Sequence, residues 1–287
     1  MANLFPEEEI DSLRRELERH NRLYYVDARS EITDREYDGL MAKLIALEAA
    51  HPEFYSSDSP SLKVGGAPID GFRQVTHRVP MLSIENIFFR TNDEVPPEKP
   101  KSTATLEKWD GVLRKELGRD VIDYSIEYKI DGVALAVIWE DGKLLRAVTR
   151  GDGEVGDDVT SNVQTISAIP KQLDTNSPPD TLEVRGEVVI LNEDFAEFQA
   201  SQMKAGEVPF KNPRSAAAGA LKLHDPSQTR ERKLQFLAHG VGFVNGISWS
   251  SYSDFLDSIR EMGIPTTPDV AFACGFTDLM KVCTEMI

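Results

Sequence analysis

Between Ser125 and Val137 the sequence reads SIEYKIDGVALAV. Glu127, Lys129 and Asp131 alternate with Ile126, Tyr128 and Ile130, and an apolar run follows Gly132. Alternate side chains of a strand share a face, so the spacing predicts a core strand with three charges on one side. An exposed ion-pair face, worth only ~0–1 kcal/mol, is the plainer reading. The chemical reading is a lysine nucleophile or phosphate ligand on a cleft floor, with acids that read a substrate. Those carboxylates favour the ammonium form of Lys129, which is the wrong form for attack. A nucleophile here needs burial, nearby cations or a metal. Arg150 and Arg185 are the candidate cations, beside a divalent ion held by Glu187 or by substrate phosphates.

The rest of the chain limits the setting. At 287 residues, the length favours about two domains. No apolar run approaches the ~18 residues of a membrane span, and the N-terminus lacks the basic start and apolar core of a signal peptide. Two cysteines, Cys274 and Cys283, make neither a disulfide framework nor a four-thiolate zinc site. A reducing cytoplasm is the simplest reading. The net charge of −16 argues against non-specific affinity for nucleic acid. Between Lys204 and Lys233, however, seven cations face three anions. A polyanion contact belongs there, on Lys211, Arg214 and Lys222, unless that face is merely solvated.

Periodicity predicts two hairpinned helices in the first seventy residues. Ile10, Leu13, Leu17 and Tyr24 recur at helical spacing, and Thr33 with Glu36 has capping-box spacing ahead of a second apolar stripe. Residues Arg90 to Thr105 read as a loop. After a short helix around Trp109 the pattern turns to strands, with a hairpin turn at Asp141-Gly142. The expected fold is α+β, an antiparallel core joined to a helical N-terminal unit. Gly151-x-Gly153-x-x-Gly156 has dinucleotide-loop spacing, but four acids crowd it where a pyrophosphate needs bare amides, so a turn is expected. The five histidines show no metal spacing and read as structural or solvated. No G-x-S-x-G elbow is present to support hydrolase chemistry.

Six stretches occur in order: LYYVDARSEITDREYDGLM, VPMLSIENIF, EYKIDGVALAV, TRGDGEVGDDVTSNV, LEVRGEVVI and NPRSAAAGALK. Together they closely resemble the adenylation region of the bacterial NAD-dependent DNA ligases. The resemblance implies a nicotinamide-mononucleotide-binding helical subdomain over residues 1–70. A nucleotidyltransferase domain of ATP-grasp-like build, with antiparallel sheets, would span 71–287 and be C-terminally incomplete. By resemblance Lys129 is the nucleophile that takes AMP from NAD+, releasing nicotinamide mononucleotide. Glu127 resembles the adenine contact, Asp131 joins the cofactor-binding set, and Arg150 and Glu187 match nucleotide and ribose contacts. Ser83 and Ile84 match a segment that touches the dinucleotide. Tyr24, Tyr25, Asp34, Tyr37 and Asp38 resemble the grip on the nicotinamide half, which favours NAD+ over ATP. The implied cofactors are NAD+ and Mg2+, the latter near Glu187 or on phosphates. The implied partner is nicked double-stranded DNA, bound by a cytoplasmic monomer with no membrane contact.

The sequence departs from the family at Ser215 and Ala220, where Asn and Ser are usual, and at Lys222, where an arginine is usual. A later lysine-bearing strand motif is absent before Ile287, so this chain alone is expected not to seal nicks. The alternative is a non-catalytic NAD-binding or regulatory module that keeps the pocket.

Overall fold

The structure, a computed structural model, describes residues 6–25, 31–54, 56, 58–62, 72–84 and 106–286. In chain order it begins with helices α1 (Pro6–Tyr25) and α2 (Asp34–Ala50) and strand β1 (Gln74–Thr76). Helix α3 (Leu106–Leu117) is followed by strands β2 (Asp123–Glu127), β3 (Val133–Glu140), β4 (Lys143–Thr149) and β5 (Val155–Asp157). Then come α4 (Thr160–Val163), β6 (Thr181–Val189), α5 (Asn192–Lys204), α6 (Pro213–Leu221) and α7 (Pro226–Arg230). Strand β7 (Gln235–Asn245), helix α8 (Tyr252–Glu261), strand β8 (Val270–Cys274) and helix α9 (Gly275–Glu285) follow. The chain divides into two compact units, Met1–Leu82 with Ile130–Thr266, and Ser83–Lys129 with Thr267–Ile287. The α+β expectation holds, with antiparallel sheets and a helical N-terminal region. The loop expected over Arg90 to Thr105 lies outside the described residues.

The first unit is built on a four-stranded antiparallel sheet of order β4-β3-β6-β7. Strand β3 is central and covered on both faces, which is why its sequence is apolar without alternation. Leu135, Ala136, Val137 and Trp139 are fully buried, and the Trp139 indole donates to the Pro170 carbonyl at 2.9 Å. The β3–β4 turn is the two-residue Asp-Gly type expected, with positive φ at Asp141 (46°) and Gly142 (76°). Helix α6 lays its small residues Ala216 and Ala217, both buried, toward β3 and β6. Its entry is set by Asn212, whose side chain accepts from the Ser215 amide, and by Pro213 in the first turn. The N-terminal helices bury Ile10, Leu13, Leu17 and Leu44, with Tyr37, Leu40, Met41 and Leu47 packed around them. The Thr33–Glu36 capping box forms as its spacing predicts.

The second unit pairs β2 with β8, from Asp123 opposite Cys274 to Glu127 opposite Val270. Helices α3 and α9 help close its core of Ile122, Tyr124, Ala273 and Leu279, with Trp109, Leu113 and Phe276 at its margin. Asp110 is buried there. It accepts from the Tyr124 hydroxyl at 2.6 Å and the Arg114 Nε at 2.8 Å.

One expectation fails. The segment from Ser125 to Val137 is not a single strand: β2 stops at Glu127, β3 starts at Val133, and residues 128–132 belong to neither. Glu127, Lys129 and Asp131 are therefore not related by strand alternation. The local reason is that the segment leaves one unit and enters the other. At its far end Gly132 presses on β6, where a Cβ would lie 2.7 Å from the Val188 carbonyl oxygen and 2.7 Å from Val189 Cγ1.

Burial, then the hydrogen bond to Asp110 and its charge, push the Tyr124 phenol from its ordinary 10.0 up to about 12, against a smaller opposing effect of Arg114. The proton is thus held longer in the folded state than in the unfolded one. This stabilisation is complete below pH 10 and is lost as pH rises through about 12. Urea midpoints measured across that window should fall, and the fall should be shallower in Tyr124→Phe.

Candidate active site

In the first unit, Arg150 stands just past the end of β4. Its amide donates to the Ala134 carbonyl (3.2 Å), and its own carbonyl accepts from the Gly153 amide (3.0 Å). The glycine-rich stretch that follows is a closed turn, as its acids led us to expect. Asp152 Oδ1 accepts from the amides of Glu154 and Val155, at 2.9 and 2.8 Å, so those amides are occupied. Gly151 has φ 58°, and a Cβ on Gly156 would lie 1.8 Å from the Thr149 carbonyl oxygen. The glycines serve tight packing of the backbone.

Glu187 lies on β6 with its side chain mostly enclosed, and one carboxylate oxygen is 3.7 Å from His239 Nε2 on β7. Asp131 is exposed and meets Arg214 of α6 at 3.2 Å. Lys222 sits 3.1 Å from Asp157, a carboxylate only 1% exposed that also accepts from Gln74 Nε2 at 2.7 Å. Of the three cations expected to meet DNA, Lys222 thus serves a buried carboxylate, while Lys211 is exposed. Tyr37 donates to Asn21 Oδ1 at 2.7 Å, which ties α2 to α1. Tyr24 and Tyr25 occupy the last turn of α1, and Asp34 and Asp38 the first turns of α2; their side chains lie outside the described residues.

In the second unit, Glu127 ends β2. Its Oε1 is shielded from water yet finds no hydrogen-bond partner among the described residues. A buried acceptor without a donor costs ~1–3 kcal/mol, more when charged. That oxygen suits a donor brought by a ligand, such as the amino group of a purine. Lys129 is exposed, in the irregular stretch beyond β2, and Ser83 and Ile84 are exposed as well. Among the described residues no group of three or more His, Cys, Asp or Glu side chains could hold a metal ion.

Two features were missed by sequence reasoning. Glu183 on β6 is 3% exposed and is paired with Arg185, whose guanidinium donates to its Oε1 at 3.0 and 2.9 Å. The same guanidinium reaches the carbonyls of Pro80 (2.9 Å) and Val79. Arg185, expected as a cation for Lys129, is committed to these partners. His77 is the second, with its ring nitrogen against the Thr149 and Arg150 carbonyls. The carbonyl partners of Arg185 and His77 are some 70–110 residues away in sequence, and no local pattern announces them.

Comparison with known proteins agrees with the motifs. The model of the NAD-dependent DNA ligase adenylation domain matches residues 69–287, and that of the DNA ligase-like, N-terminal NAD+-binding domain matches residues 5–65. The chain is 48% identical over 263 residues to a DNA ligase of Akkermansia muciniphila, covering 92% of the chain and 32% of that protein. It is 42% identical over 280 residues to a DNA ligase of Geobacter sulfurreducens (96% and 40%), and 42% over 269 residues to one of Methylococcus capsulatus (93% and 38%). The chain spans between a third and two fifths of the length of these relatives.

Lys222→Met takes the ammonium away from a buried carboxylate and should cost on the order of 3 kcal/mol, whereas Lys211→Ala, on the surface, should stay within ~0.5 kcal/mol. Chemical denaturation of both variants beside the parent chain measures the difference.

Proposed function

Since the chain belongs to the NAD-dependent DNA ligases, we propose that it carries the first nucleotidyl transfer of that chemistry, with Lys129 as acceptor of AMP from NAD+. The observation that carries this reading is the Oε1 of Glu127, two residues before Lys129, which has no hydrogen-bond partner among the described residues and which an adenine donor would complete. The Lys129 amine attacks the phosphorus of the AMP half. An N–P bond forms, the P–O bond to nicotinamide mononucleotide breaks, and the amine's proton passes to water at this exposed position. Arg150 offsets phosphate charge, Glu187 and Asp131 bind the sugar side, and Ser83 and Ile84 touch the dinucleotide.

We assign residues 1–70 to the nicotinamide half through Tyr24, Tyr25, Asp34, Tyr37 and Asp38, and 71–287 to AMP transfer. The described residues do not make a protein cage for Mg2+. A divalent ion carried on the substrate's phosphates, with Glu187 as its candidate protein ligand, is the arrangement we favour. In a nicked duplex the AMP passes on to a 5′-phosphate, with Arg214 and Lys211 as the candidate backbone contacts. We place this activity in the cytoplasm and in a monomer. Among the described residues no helix is long and apolar enough to cross a membrane.

Incubation with NAD+ and Mg2+ should raise the intact mass by one AMP, and Lys129→Ala should abolish the gain. Saturable NAD+ binding with no mass gain in the parent chain would instead identify a binding module. For the N-terminal assignment, Asp38→Ala should weaken NAD+ binding about tenfold or more while leaving AMP affinity unchanged. Equal weakening of both ligands in calorimetric titrations would overturn that division of the site.

A further inference from the structure

Arg150 follows the last residue of β4, and the peptide after it leads into Gly151, whose φ of 58° is open to glycine at little cost. An arginine meant to meet a phosphate needs its backbone held. Three contacts supply the hold: the Arg150 amide on Ala134 O, the Gly153 amide on Arg150 O, and the ring of His77.

His77 acts at both ends of the turn. Its Nε2 is 3.0 Å from the Thr149 carbonyl and 3.2 Å from the Arg150 carbonyl. Both partners are acceptors, so Nε2 carries hydrogen and donates; the neutral tautomer and the imidazolium serve equally. The backbone amide of His77 donates to the Glu154 carbonyl at 2.7 Å, where the turn leaves, and four residues on the Met81 amide donates to Gly153 O at 2.8 Å. One residue therefore joins the entry and exit of the 150–154 turn. The segment that bears it is fixed from both sides. Strand β1 pairs with β5, and Arg185 donates to the carbonyls of Val79 and Pro80.

We propose that His77 is a positioning residue for Arg150. It acts through the Thr149 and Arg150 carbonyls and makes no contact with the nucleotide. The inference rests on the reading of Arg150 as a nucleotide contact.

The test is a double-mutant cycle on NAD+ affinity, measured by calorimetry on the whole chain, with urea midpoints taken alongside. His77→Phe keeps a ring and removes the donor. His77→Gln returns an amide N–H at about the reach of Nε2. We expect His77→Phe to weaken NAD+ binding about tenfold, the loss of one well-placed contact. His77→Gln should recover most of that. In an Arg150→Ala background, His77→Phe should add less than about a twofold further loss, because the two changes act on one element. Losses that multiply in the double variant, a Gln variant as weak as Phe, or affinity changes that simply follow the urea midpoints would each overturn the role. Failure of the underlying reading is separate: it shows as no NAD+ binding by the parent chain, or as unchanged affinity in Arg150→Ala, and either removes the role with it.

Discussion

A carboxylate in the interior of a sheet must be matched by donors, and the way Glu183 is matched organises the first unit. One oxygen takes two hydrogen bonds from Arg185, and the other takes the Phe243 amide at 3.1 Å. Position 242 must be glycine for this to happen, since a Cβ there would sit 1.9 Å from Glu183 Oε1. Loss of one member of such a pair leaves an uncompensated charge, at a cost of several kcal/mol. Arg185 has donors to spare, and it spends them on the carbonyls of Val79 and Pro80. The backbone from β1 to Met81 is thereby laid along the sheet. Arg78 adds a second hold, its guanidinium 3.4 Å from the centre of the Phe243 ring.

That anchored segment connects the strand ends to the candidate site. It puts His77 against the Arg150 carbonyl and Met81 against Gly153, so the geometry of the turn after β4 depends on a charge pair on β6. The Lys222–Asp157 pair extends the same logic to α6, whose first turn also offers Arg214 to Asp131. The basic stretch read from the sequence as one patch divides into cations with internal partners and cations on the surface. Composition reports the number of charges, and burial decides which of them a polyanion can reach.

Local features were legible in the sequence because their causes are local. Thr33 with Glu36 and Asp141-Gly142 each satisfy or shape backbone within four residues, and both appear in the structure. The apolar run after Gly132 announced a buried strand correctly, and the acids in the glycine-rich stretch correctly pointed to a turn. Alternation failed between Glu127 and Val133, since period two describes a continuing strand and cannot show a chain changing units. The Lys222–Asp157 pair and the carbonyl contacts of Arg185 and His77 were invisible for a related reason. Their partners meet only once the sheet has formed.

The pairing of β2 with β8 has a consequence in time. Asp123 to Glu127 find their strand partners at Val270 to Cys274, about 150 residues later in the chain. At synthesis rates of roughly 5–20 residues per second, the strand ending two residues before Lys129 waits on the order of ten to thirty seconds for its neighbour to be made. During that wait its edge and the apolar face carrying Tyr124 and Ile126 are open to other contacts. The first unit meets the opposite condition, since β3 and β4 are joined by a two-residue turn and can pair as soon as they emerge. Lys129 is thus translated early while the strand before it is framed late, and a ribosome-bound chain would hold a formed sheet in one unit while β2 of the other is still unpaired.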